Sequence, residues 1–174
     1  MRRYLPLIVA LLVFIIIHEG LHALTAAIFN EYRAFRVHLY GLEVIFKTPV
    51  AERTGMEWGF ISGVSNAVTL LIGYILFACR KGLSEVTNIF LRHLGYWAIF
   101  IFMLFDAFNL SIIPFFFGGD IGGIVQGFGI NRFTVQALFL IVLLINRELI
   151  VRKVFPLYGI KTRHFLFQPF GKGA

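Results

Sequence analysis

Five residues near the amino terminus carry the most chemistry in this sequence. His18-Glu19-Gly20-Leu21-His22 is an H-E-x-x-H pattern inside an apolar run with helical spacing. Residues four apart share one helix face, about 6 Å apart along the axis. Both imidazoles can therefore reach one tetrahedral zinc ion. Glu19 sits beside them and suits the task of taking a proton from metal-bound water. With this composition the pattern arises by chance in roughly one such chain in two hundred, which makes it specific. The apolar setting sharpens the signal, because two His and a Glu at membrane depth are costly and mark function by default. The competing reading is a hydrogen-bonded packing cluster without metal.

Two imidazoles leave a catalytic zinc needing a third protein ligand and an open position for water. A third His six residues after the second would complete one soluble pattern, but that position is Ile28. The chain has only two Asp. Asp120 stands among Gly118, Gly119, Gly122 and Gly123, which allow backbone to approach a metal closely. Asp106 lies deep in an apolar run and needs a partner. Asn109, three residues on, shares its helix face and can supply one. Asp120 is therefore favoured as the third ligand and Asp106 as half of a structural pair. His38 and His93 are further candidates that read as surface histidines.

These residues need elements to position them, and composition says what kind. The 174 residues are 59% apolar and 14% charged, with 21 Phe and a formal charge of +7. An average soluble domain is about 45–50% apolar and about 25% charged. A soluble globular domain, a disordered chain, a collagen-like repeat and a disulfide scaffold are all excluded. Cys79 is the only cysteine, so no intramolecular disulfide forms. The basic residues are scattered between apolar runs rather than gathered on a soluble module. The expected partner is thus the lipid bilayer and not nucleic acid.

Four runs are long enough to span a membrane: residues 4–29, 58–79, 93–117 and 133–151, the last being short. Between the first two, Phe35, Val37 and Leu39 alternate with Arg36, His38 and Tyr40, and after Gly41 the alternation resumes through Lys47. Period two on both sides of a Gly predicts a short β-hairpin at the membrane surface. The expected fold is therefore an all-α polytopic membrane protein of one domain, residues 1–174, with about four transmembrane helices and a hairpin between the first and second. Phe117–Gly129 holds six glycines and reads as a loop or turn, since glycine this dense breaks a helix. Residues 152–174 form a basic, aromatic tail that suits an anionic membrane surface or solvent. Arg2, Arg3 and the small residues near Ala23–Ala27 also fit a cleavable leader. The apolar run continues past the polar trio, however, which favours a retained span.

With those elements in place, a resemblance emerges. HEGLHALTAAIF resembles the zinc-binding helix of the site-2 protease family of intramembrane metalloproteases. Gly63-Val64-Ser65-Asn66 is similar to that family's glycine-to-asparagine signature, without the proline after the glycine. Asn109-Leu110, Pro114 and Asp120-Ile121-Gly122 resemble its Asn-Leu…Pro…Asp-Gly motif, with a longer interval and Ile121 interposed. The three motifs fall in the family's order on three successive spans, covering about residues 4–125. The resemblance implies zinc on His18, His22 and Asp120, Glu19 as the base, and Asn66 and Asn109 positioning substrate. By their residue type alone, Asn66 and Asn109 fit interhelical hydrogen bonding equally well.

The expected activity is hydrolysis of a peptide bond in or near a transmembrane segment of a substrate protein. A zincin-like membrane protein that binds metal without hydrolysis, and a metal transporter, are the rivals. Orientation divides the signals. Eleven Lys/Arg fall on the side of both termini and five on the other, which places the termini in the cytoplasm. The family resemblance favours the reverse.

Overall fold

The computed structural model describes residues 4–38 and 41–171. Its architecture is the expected one, with four helices long and apolar enough to cross a membrane and a two-stranded antiparallel hairpin between the first and second. Helix α1 (Leu5–Ile28) starts with Pro6 in its first turn, where the missing N–H costs nothing. It stops at Asn30, whose left-handed backbone (φ 61°) lets Glu31 N–H reach Ala26 O at 2.7 Å. Strands β1 (Tyr32–His38) and β2 (Gly41–Phe46) follow, with Phe35 opposite Val44 and Arg36 opposite Glu43. Leu39 and Tyr40 lie outside the described residues, as do Arg2, Arg3 and Lys172.

Helix α2 (Met56–Ala78) leads through the short α3 (Arg80–Glu85) to α4 (Ile89–Ser111), which Asn88 caps by accepting from Phe90 and Leu91 N–H. α2 and α4 touch closely where Gly73 meets the backbone of Phe102; a Cβ there would lie 2.8 Å from the Phe102 carbonyl. α4 ends at Ser111, and a tight turn at Ile113–Phe115, with Pro114 at its centre, follows.

The glycine-rich segment is not the expected loop. Asp120–Phe128 is a helix, α5, bounded by positive-φ Gly119 and Gly129. Two of its glycines, Gly123 and Gly127, are used for contact. A Cβ on Gly127 would fall 2.1 Å from Gly59 N, and one on Gly123 would fall 2.0 Å from Ser62 Oγ. α5 therefore lies almost backbone to backbone on the first turns of α2, running antiparallel to it. The intrinsic cost of glycine in a helix, about 1 kcal/mol each, is offset by that packing.

Helix α6 (Arg132–Leu149) is extended by a π-helical turn (Ile150–Val154) and a 3-10 turn (Phe155–Tyr158). The fourth span is thus 27 residues, Arg132–Tyr158, and not the short run expected from composition. Asn146, fully buried, ties α6 to α4 through Met103 O (2.7 Å) and to α2 through Tyr74 OH (3.0 Å). The tail folds back: Arg147 donates to Leu166 O at 2.6 Å, and Phe167 packs against Phe100 and Phe155.

Candidate metal centre

α1, α2, α4 and α5 each deliver polar groups to one point inside the bundle. One helical turn separates His18 from His22 on the buried face of α1, and both are under a tenth exposed. The break after α4 releases the chain from the bundle, and the docking of α5 on α2 then sets Asp120, the first residue of α5, against the two imidazoles. Their Nε2 atoms lie 3.1 Å apart. Asp120 Oδ2 is 3.3 Å from His18 Nε2, and Asp120 Oδ1 is 3.2 Å from His22 Nε2.

A tetrahedral ion with bonds of about 2.0–2.1 Å holds its ligand atoms about 3.3 Å apart. His18 and His22 Nε2 are 3.1 Å apart, and each lies 3.2–3.3 Å from a different oxygen of the Asp120 carboxylate; one ligand atom from each residue falls within 4.8 Å of the other two, so His18, His22 and Asp120 could hold a metal ion. The far ring nitrogens face oxygens, as those of metal-binding histidines do. His22 Nδ1 is 2.7 Å from Ile61 O, and His18 Nδ1 is 3.2 Å from Asp106 Oδ1. Each ring is left with Nε2 toward the shared point.

Asn66 and Asn109 also converge there. Their side-chain amides donate to Asp120 Oδ2 at 2.9 and 3.1 Å. They hold the carboxylate that faces the imidazoles, and they stabilise its ionised form. Glu19 belongs to the same place: with His22 and Asp120 it lines a cavity of about 610 Å³ whose other walls include β2, Arg53 and the Gly118–Gly123 segment. Val44, the one buried residue among the described residues of the hairpin, is part of that wall.

The expected Asp106–Asn109 pair does not form. Asn109 turns to Asp120, while Asp106 accepts from Thr69 Oγ1 and faces His18. The i, i+3 spacing permits a pair within one helix, but partners on α1, α2 and α5 are better placed. His38 is bonded to Glu43 on the hairpin surface (2.7 Å), and His93 is exposed at the far end of α4. Sequence reading missed Ser65, whose Oγ lies 3.0 Å from His22 Nε2, and also Thr69 and the Ile61 carbonyl. A signal existed for the side chains. Ser62, Ser65, Asn66 and Thr69 fall at helical spacing and draw one polar stripe on an apolar helix.

No family model, no curated protein and no solved structure matches the chain.

Proposed function

We propose that this chain is an intramembrane zinc metalloprotease that cleaves a transmembrane protein substrate. The observation that carries the reading is the convergence of His18 Nε2, His22 Nε2 and the Asp120 carboxylate, at 3.1–3.3 Å from one another, beside a cavity that Glu19 lines. The ordered likeness to site-2 protease motifs points the same way. Two imidazole nitrogens and one carboxylate suit zinc, and three protein ligands would leave it a position for water. When bound, zinc supplies a Lewis acid that activates water and polarises a carbonyl. Glu19 is the residue placed to accept the proton of the attacking water and return it to the departing amine. Asn66 and Asn109 hold Asp120 and, through it, the geometry of the site.

The hairpin supplies the substrate's place. A transmembrane helix hides its peptide bonds in its own hydrogen bonds, so it must unwind before cleavage. Among the described residues β2 pairs with a strand, β1, on one edge and with none on the other, and residues 43–46 of β2 line the cavity. An unwound segment can add to the free edge of β2 and recover there the backbone bonds it lost. The deciding test is cleavage of transmembrane substrates by purified protein in proteoliposomes. Wild type should cut a substrate that Glu19→Gln leaves whole; equal turnover by both proteins would refute the mechanism.

A further inference from the structure

Asp106 is the buried ionisable group that the proposed mechanism leaves unused. It is 1% exposed in the middle of a span, where a carboxyl group is expensive and needs a specific reason. Its two oxygens face two different helices. Oδ2 accepts from Thr69 Oγ1 of α2. Oδ1 lies 3.2 Å from His18 Nδ1 of α1, and that buried nitrogen has no hydrogen-bond partner among the described residues, which leaves Asp106 as the group facing it. On the opposite side of the same ring, Nε2 points at Asp120 and His22. The order across the site is therefore Thr69 hydroxyl, Asp106 carboxylate, His18 imidazole, shared point. His22 repeats the arrangement with the Ile61 carbonyl in place of the carboxylate.

We infer that Asp106 is a positioning residue of the metal centre. It fixes the proton of His18 on Nδ1 and sets the ring plane, leaving Nε2 toward the shared point. The inference rests on the metal reading of the site and not on peptide hydrolysis. The separation from ligand duty is geometric: Asp106 and Asp120 lie against opposite nitrogens of one imidazole, so both cannot bind the ion that Nε2 binds. A carboxylate behind a metal-binding His orients the ring and strengthens it as a ligand, and losing such a partner weakens metal affinity about 10–100-fold. Its cost at membrane depth is moderated by the Thr69 hydroxyl, which donates to Oδ2, and by the His18 ring 3.2 Å from Oδ1.

The test is zinc affinity of the purified full chain, measured by competition with a chromophoric chelator, with cobalt(II) absorption reporting coordination. Asp106→Ala should still bind one ion with tetrahedral cobalt bands, but about 10–100-fold more weakly than wild type. Asp106→Asn, which keeps an oxygen facing Nδ1–H, should fall between the two. Wild-type affinity in Asp106→Ala overturns the inference and leaves the metal centre standing. Loss of metal in both variants as complete as in His22→Ala makes Asp106 a ligand and also overturns it. Should Asp106→Ala fail to fold, Asp106→Asn decides alone: weakened affinity with the cobalt bands retained supports the positioning role, and unchanged affinity refutes it. Absence of metal from wild type would overturn the metal reading itself.

Discussion

Gly127→Ala is the smallest change that should damage the candidate site from a distance. The added Cβ would lie 2.1 Å from Gly59 N, 2.6 Å from Gly59 Cα and 3.1 Å from Trp58 C. Carbon contacts are comfortable at about 3.5–4.0 Å. All three neighbours are backbone of α2, so no side chain can swing away, and α5 must retreat by about 1 Å or more at this point. Overpacking of this kind costs about 1–3 kcal/mol. Gly127 lies two turns from Asp120 on the same helix, so the retreat also strains the 3.2–3.3 Å approach of Asp120 to the imidazoles. The same substitution at Gly122 is the internal control. No atom lies within 4 Å of its added Cβ, and Ala is the better helix former by up to about 1 kcal/mol. Thermal unfolding in detergent should therefore show Gly127→Ala less stable than wild type and Gly122→Ala at least as stable. Zinc affinity should fall only in Gly127→Ala. Equal midpoints for the two variants would refute the close docking of α5 on α2.

Other outcomes follow from the same geometry. Glu19→Gln should keep its metal and lose about 100-fold or more of turnover, the scale of a lost general base, read from single-turnover cleavage. Asn146→Ala removes two interhelical hydrogen bonds at a fully buried position and should cost about 1–3 kcal/mol in a reversible unfolding assay, at about 0.6–1.7 kcal/mol per bond. The charge asymmetry proposes that both termini face the cytoplasm. A cysteine engineered at Gly171 should then resist an impermeant thiol reagent applied to intact cells, and ready labelling would reverse the orientation.

Much of the fold was legible because membrane spans and hairpins announce themselves by local pattern. Apolar length marked the four helices, and the alternation from Phe35 onward marked the hairpin. The histidine spacing was equally local, since four residues is one helical turn wherever the helix sits. What failed depended on contacts distant in sequence. Gly122, Gly123 and Gly127 read as a helix breaker because glycine's propensity is a local property. Its compensation, the close approach of Gly127 and Gly123 to α2, becomes visible only when the two helices are together. Asp106 was paired with Asn109 because they are three apart, yet Thr69 and His18 are better placed across the bundle. The fourth span looked short because its apolar run ends at Val151, where the basic tail begins at Arg152, with Arg147 and Glu148 already near that end. Arg147 is instead buried, with its guanidinium spent on the carbonyls of the returning tail and on Glu148.

The central claim is that one metal ion sits on His18, His22 and Asp120 while Glu19 stays off it. Metal content of the purified protein tests this most directly, by plasma mass spectrometry on wild type, Glu19→Gln, His22→Ala and Asp120→Ala, each checked for intact folding. The account predicts about one zinc per chain in wild type and Glu19→Gln, with zinc lost from His22→Ala and sharply reduced in Asp120→Ala. Wild type free of metal, or His22→Ala retaining a full complement, would contradict it.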